Sequence, residues 1–169
     1  MTTDDWAMRV AALWDISDDL GDNILLERMD ALVAERPATD ARAAYEAGSV
    51  RDSIGLEAEA VEHYQRALDL GADGGLDASL TTQLRIQFAS TLRNLGRYDE
   101  GLALLDAIAD DDELADAVAA FRALILSSMG ELPAALSLAL ATLAPHLPRY
   151  QRSMLAYAHE LPARIANGE

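Results

Sequence analysis

The stretch Thr81–Ile108, TTQLRIQFASTLRNLGRYDEGLALLDAI, decides the fold of this chain. Its first half has large apolar residues at spacings of four, four and three, which predicts one face of a helix. Those residues are Leu84, Phe88, Leu92 and Leu95. Its second half has an apolar residue at every third position, namely Leu102, Leu105 and Ile108. Gly96 lies between the halves and can adopt the left-handed conformation that ends a helix. The stretch therefore predicts two amphipathic helices joined by a tight turn.

The composition favours an all-α protein built as one domain. The chain has 169 residues, which is long enough for one domain with its own core. Hydrophobic residues make up 51% of it, many of them alanine, whereas aromatic residues make up only 5%. Alanine favours helix. No run alternates with a period of two, so strands are not expected.

The charge and the missing cysteines exclude several classes of function. The formal net charge is −16, and all thirteen basic residues are arginine. Such a surface repels nucleic acid, so no nucleic-acid partner is expected. The acidic surface is either a solvated exterior or a surface for a basic partner, and the sequence leaves both open. Without cysteine there are no disulfides, thiol nucleophiles or cysteine metal sites.

The sequence predicts a cytoplasmic protein that does not enter membranes. No apolar stretch reaches the roughly 20 residues that span a bilayer. The first ten residues, MTTDDWAMRV, lack the basic segment followed by an apolar run that makes a signal peptide.

Four glycines divide the chain into repeats. Gly21, Gly55, Gly96 and Gly130 are separated by 34, 41 and 34 residues. The middle gap is one period plus seven residues, which is the length of the connector GADGGLD at residues 71–77. A period of 34 with helix–turn–helix units is typical of an α-solenoid.

Residues at fixed offsets from these glycines resemble the tetratricopeptide repeat (TPR) family. The first clear unit matches the family pattern at Ala47, Gly48, Gly55, Ala60, Tyr64 and Ala67. The second matches at Phe88, Ala89, Gly96, Gly101, Leu105 and Ile108. The third matches at Ala123, Gly130, Ala135, Ala139 and Thr142, with Arg122 at a normally apolar position. The chain also resembles a small bacterial TPR group of unassigned activity, through TLRNLGRYDEGLALL and LAPHLPRYQRS.

The resemblance implies a right-handed α-solenoid of TPR-type helical hairpins with a C-terminal capping helix. Residues 1–38 are expected to form a degenerate hairpin, and the three TPR-like units to occupy residues 39–72, 77–110 and 112–147. The capping helix is expected at 148–162, opened by Pro148 and running through His159, with a frayed tail at 163–169. Asp110–Glu113 is expected to be an acidic turn that starts a helix.

The resemblance also implies non-catalytic binding of a protein or peptide in a concave groove lined by the first helix of each unit. Arginine and tyrosine on that surface are the residue types that most often carry interface energy. The candidate groove residues are Arg42, Tyr45, Ser49, Asp52, Gln83, Ile86, Ser90, Arg93, Asn94, Leu124, Arg149, Tyr150, Arg152 and Tyr157. The carboxylate clamp of chaperone-binding relatives is not expected, because it uses lysines and this chain has none.

Two structural alternatives stay open at this stage. Asn94 could serve only to satisfy helix-end carbonyls, Arg93 could pair with an acid on its own surface, and Tyr150 could seal the end of the solenoid. The protein could instead be a structural homo-oligomer, for example a homo-dimer, built by end-to-end or face-to-face packing. The apolar stripe of Trp6, Val10 and Leu13 would then be exposed for that packing.

No catalytic residue, cofactor site or metal site is expected, and the chain is not predicted to be an enzyme. The histidines, His63, His146 and His159, are far apart and form no H-E-x-x-H pattern. The acidic runs at 18–19 and 110–112 lack the spacing of a calcium loop. A metal or small-ligand site near His146 and His159 is the remaining minor alternative.

Overall fold

The computed structural model describes residues 3–109 and 113–166, with backbone only for residues 3–4 and 162–166. Within these residues all regular secondary structure is helical. The α-helices are α1 Thr3–Asp15, α2 Asp22–Ala34, α3 Ala41–Ser53, α4 Glu57–Leu70, α5 Ala78–Asn94, α6 Tyr98–Asp106, α7 Ala115–Ser128, α8 Leu132–Leu143 and α9 Gln151–Ala166. Short 3-10 turns lie at Ser17–Asp19, Gly71–Gly74 and Ala144–His146. The chain forms two compact units, Met1–Leu84 and Arg85–Glu169.

The first unit begins with α1 packed on α2. Trp6, Val10 and Leu13 form the inner face of α1 and are buried with Leu25 and Met29. The Trp6 indole also donates a hydrogen bond from Nε1 to the carbonyl oxygen of Leu32 at 2.8 Å. The prediction that this stripe is exposed for oligomerisation is therefore wrong, because α2 covers it within the same chain.

The α3–α4 hairpin is the most closely packed part of the first unit. Asp40 caps α3 by accepting a hydrogen bond from the backbone N–H of Ala43 at 2.9 Å. Gly48 lies against the buried ring of Tyr64, where a Cβ would come within 2.5 Å of Cδ1. Tyr64 belongs to the core of this unit, since its side chain is fully buried.

A buried carboxyl group joins α1 to α3. Glu46 accepts a hydrogen bond from Trp14 Nε1 at 2.9 Å. Burial raises the pKa of Glu46. The hydrogen bond from Trp14 and the positive charge of Arg42 lower the pKa, but by less than burial raises it. Glu46 is therefore a structural group of the core.

In the second unit, α7 covers one face of the α5–α6 hairpin. Ile86 and Ala89 of α5 and Leu105 of α6 are buried together with Ile125 of α7. Gly101 allows this contact, because a Cβ there would lie 3.1 Å from Ile125 Cδ1. Arg122, at the normally apolar position, forms an ion pair with Asp106 at 2.6 Å.

Three of the four punctuating glycines adopt a left-handed backbone, which the sequence analysis expected at Gly96. Gly55, Gly96 and Gly130 have φ of 80°, 74° and 87°. Gly21 does not, because it precedes α2 with φ of −74° rather than ending a helix. At Gly96 the turn is closed by a hydrogen bond from Arg97 N to Leu92 O at 2.9 Å.

We expect Gly96→Val to lower the free energy of unfolding by about 1–2 kcal/mol, because a β-branched residue is strained at positive φ. Urea denaturation followed by circular dichroism measures the loss. Gly96→Asn is the matched control, since asparagine tolerates the left-handed region and should cost much less. Equal costs for both variants would contradict a left-handed turn at this position.

Two helix boundaries differ from the sequence-based expectations. The last helix begins at Gln151 rather than at Pro148, because Tyr150 has φ of 69°, which lies outside the helical region. Gln151 Nε2 donates to the carbonyl oxygens of Pro145 and Leu147, both at 2.9 Å. The helix continues through residue 162 to Ala166, so the expected end at His159 is wrong and fraying does not begin at 163. Helix α7 begins at Ala115, and residues 110–112 of the expected acidic start lie outside the described residues, as do 167–169 of the expected tail. The division into repeat units stays a prediction.

Candidate functional site

An apolar groove lies on the open face of the α7–α8 hairpin. One face of α7 is committed to the core, with Val118, Phe121 and Ile125 packed against α5 and α6. The other face of α7 and the adjoining face of α8 border a groove of about 720 Å³. The lining residues on α7 are Asp116, Ala120, Ala123, Leu124 and Ser127. Those on α8 are Leu132, Ala135, Leu136, Ala139, Thr142 and Leu143.

Four leucines give the groove its apolar character. Leu124, Leu132, Leu136 and Leu143 are 46%, 60%, 49% and 48% exposed. Large apolar side chains scattered singly over a surface need no explanation, but a contiguous set lining a groove marks an interaction site.

A charged pair lies at one end of the groove. His146 Nε2 and Asp116 Oδ2 are 2.8 Å apart, which links the start of α7 to the turn that follows α8. Both residues line the groove. Arg93 of α5 donates from Nε to Ser128 Oγ at 3.0 Å, at the last turn of α7.

A comparison with known families decides the identity of the fold. The family model described as tetratricopeptide repeat matches residues 41–161. The chain belongs to the tetratricopeptide repeat family. The all-α fold of the α-solenoid class that the sequence predicted is thereby confirmed. No curated protein and no solved structure matches the sequence.

Membership of the TPR family assigns a general type of role. TPR domains typically mediate protein–protein interactions and serve as non-catalytic scaffolds. In the part of this TPR chain that the structure describes, no three His, Asp or Glu side chains gather as a metal site needs. Over the same residues, no helix has both the length and the hydropathy to cross a bilayer.

Two of the TPR groove residues expected from the sequence are buried and available to no partner. Tyr45 is 6% exposed and packs against Tyr64, with ring centroids 6.2 Å apart. Ile86 is also 6% exposed and lies in the core of the second unit beneath α7. Both positions were assigned to the surface from the family pattern, but in this chain the neighbouring helices cover them.

The other expected groove residues keep partly or fully accessible side chains. Leu124 lines the α7–α8 groove, and Arg93 donates a hydrogen bond to Ser128 at the last turn of α7. Asn94, Arg149, Tyr150, Arg152 and Tyr157 are exposed in the second unit. Ser90 there, and Arg42, Ser49, Asp52 and Gln83 in the first unit, are half-buried. Their role in binding stays a prediction.

The groove residues on α8 were missed by the sequence analysis. The family pattern directs attention to the first helix of each unit, whereas Leu132, Leu136 and Leu143 belong to a second helix. A signal was present, because the segment 132–143, LPAALSLALATL, has no charged residue. A helix that is apolar all round is either buried or covered by a partner.

Proposed function

We propose that this TPR protein is a non-catalytic module that binds a protein partner in the α7–α8 groove. The observation that carries the proposal is the set of four half-exposed leucines on one face of the hairpin. The family's general role in protein–protein interaction supports the same function.

The groove can supply a useful part of a binding energy. Fully burying a leucine is worth about 1.5–3 kcal/mol, so covering one that is half exposed gains about 1 kcal/mol. Four such leucines therefore contribute about 4 kcal/mol before the costs of association. Replacing one of them by a charge removes its share and leaves an unpaired charge against the partner.

We expect Leu136→Glu to reduce recovery of a partner at least tenfold in a pull-down from the native host, because the carboxylate would be buried in the apolar interface. Leu136 is half exposed in the free protein, so its replacement should leave the melting temperature nearly unchanged. Met8→Glu is the matched control, since Met8 is also an exposed apolar residue but lies on α1.

The same pull-down separates the α7–α8 groove from the surface expected from the family pattern. Arg93→Ala and Tyr150→Ala alter that surface without changing the four leucines. If either variant loses the partner while Leu136→Glu retains it, the α7–α8 groove is not the site.

The exposed leucines also favour a second candidate, a homo-dimer in which two copies pack these faces together. A net charge of −16 on each copy opposes that association. Light scattering across a dilution series distinguishes the two candidates, because a monomer at high concentration excludes the dimer.

A further inference from the structure

We propose that the occupant of the α7–α8 groove is an amphipathic helix of a partner protein, with large apolar side chains and basic flanks, lying antiparallel to α8. The inference rests on the proposed function and goes further, because it gives the partner's conformation, direction and charge.

The groove is the same helix slot that α7 fills one repeat earlier. A shift of 34 residues carries Ile86, Ala89, Leu105 and Ile108 onto Ala120, Ala123, Ala139 and Thr142. The first four are buried in the core that α7 covers. Ala120, Ala123 and Ala139 line the open groove, and Thr142 lines it near the end of α8. Because the equivalent surface of α5 and α6 packs against a helix, the surface of α7 and α8 has a shape that can also pack against a helix.

The slot is also deeper than its counterpart. Ile86, Leu105 and Ile108 are replaced in the shifted positions by the smaller Ala120, Ala139 and Thr142. These smaller side chains leave more open space in the groove, whose volume is about 720 Å³. An incoming helix must therefore carry side chains at least as large as the Val118, Phe121 and Ile125 of α7.

The chain's own next helix does not fill the slot. At the same shift, Val118, Phe121 and Ile125 of α7 correspond to Arg152, Leu155 and His159 of α9. Arg152 and His159 are exposed, and α9 packs on α8 and the turn Ala144–His146 instead. Among the described residues, none from α9 lines the groove. Arg152 and His159 thus interrupt the apolar stripe that α9 would bring to the slot, and the slot stays open to another helix.

The direction of the occupant follows from that of α7. Gly101 at the start of α6 meets Ile125 late in α7, and Asp106 at the end of α6 pairs with Arg122, so α6 and α7 run antiparallel. An occupant in the equivalent slot runs antiparallel to α8. Its amino end then lies near Asp116, whose carboxylate suits the positive end of a helix dipole, and its carboxyl end lies near Ser127 and Leu132.

The charge around the slot selects a basic helix. Asp116 lines the groove, where it pairs with His146, and Glu131 is exposed beside Leu132. Arg122 is engaged with Asp106, and among the described residues that line the groove there is no arginine. The whole chain carries −16, so a second copy is repelled and a helix with lysine or arginine on its flanks is attracted.

The test uses three labelled 18-residue peptides and the full chain, followed by fluorescence anisotropy. The first peptide repeats the apolar spacing of Val118, Phe121 and Ile125 in α7, with leucine or phenylalanine at those positions and lysine on its flanks. The second has a proline at its centre, which breaks the helix. The third carries glutamate in place of lysine. We expect the first to bind more than tenfold more tightly than either of the others.

Filling the slot provides the matched protein variants. Ala139→Trp places a large side chain in the open groove and should weaken the first peptide more than tenfold, whereas Ala103→Trp, at an exposed site on α6, should not. The chain has no cysteine, so a single Thr142→Cys or Ser127→Cys can carry a quencher. A fluorophore at the peptide's amino end should be quenched from residue 142 and not from residue 127.

Failure of the inference is distinguishable from failure of the proposed function. Equal binding of the proline peptide, no binding of the first peptide, or the reverse quenching pattern would overturn the inference. The proposed function would still stand if Leu136→Glu abolished capture of the native partner. A wild-type dimer that Ala139→Trp converts to a monomer would identify a second copy as the occupant and overturn the inference. If every groove variant still captures its partner, both the inference and the proposed function are overturned.

Discussion

Trp6→Ala is expected to lower the free energy of unfolding by about 3–5 kcal/mol, the largest effect of any single substitution considered. The indole is 1% exposed and is buried with Val10, Leu25 and Met29. Its removal leaves a large cavity between α1 and α2 and deletes the hydrogen bond to Leu32 O. A loss of this size is a large fraction of the 5–15 kcal/mol that stabilises a typical domain.

Two guanidinium groups add to the cost of removing the ring. The Cζ atoms of Arg36 and Arg42 lie 5.3 and 5.7 Å from its centroid. Cations at this distance from an aromatic face are attracted to it by about 0.5–1 kcal/mol or more. Both arginines belong to the same unit as Trp6, so the effect should appear in the unfolding of that unit.

The measurement is urea denaturation followed by circular dichroism at 222 nm. Met8→Ala is the control on the same helix, since Met8 is 64% exposed and its truncation should change stability by no more than about 0.5 kcal/mol. If Trp6→Ala and Met8→Ala have the same stability, α1 does not pack on α2 as described.

The positions of the hairpin turns could be predicted because each is fixed by one residue type. Gly55, Gly96 and Gly130 adopt positive φ, which few other residues tolerate, so each of these glycines marks a hairpin turn directly. Gly21 has the same spacing but a different role, and the spacing alone could not show that. Leu95 illustrates the same limit: it fits the apolar period of α5 but is exposed, because the helix ends at Asn94.

The α7–α8 groove could not be predicted from the period, because it depends on where α9 packs. The sequence predicted a capping helix at 148–162. Whether that helix enters the slot or lies against α8 depends on its apolar stripe, and Arg152 and His159 interrupt it. The exposure of Leu132 and Leu136 follows from the packing of α9, and the residues next to them in the sequence do not predict it.

The burial of Tyr45 has a similar cause. The family pattern places this position on the groove side of the first helix, but it does not specify the residue packed against it. In this chain the Tyr64 ring lies close to Tyr45, so both aromatic rings belong to one core. Burial raises the pKa of Tyr64 well above its ordinary value, as expected for a phenol held away from water.

Gly48→Ala is expected to destabilise the protein, although helix propensity alone predicts the opposite sign. A glycine inside a helix costs about 0.5–1 kcal/mol relative to alanine, so the substitution should be favourable at an open site. At Gly48, however, a Cβ would lie 2.5 Å from Cδ1 and 2.7 Å from Cε1 of Tyr64. The ring is fully buried and cannot swing into solvent, so α3 and α4 must separate. Overpacking of this kind costs about 1–3 kcal/mol, which exceeds the gain in propensity.

A double-mutant cycle with Tyr64→Leu isolates the steric cost. In the Tyr64→Leu background the ring is absent, so Gly48→Ala should become neutral or stabilising, with a coupling energy of about 1–3 kcal/mol. Ala58 is exposed on α4, so Ala58→Gly measures the difference in helix propensity between alanine and glycine in this chain without a change in packing. Gly48→Ala could instead stabilise the protein by the amount that Ala58→Gly destabilises it, with Tyr64 present and with Tyr64→Leu. In that case α3 and α4 are not in contact at Gly48. A large coupling energy instead makes the pair Gly48 and Tyr64 the contact that sets the distance between the two helices of the hairpin.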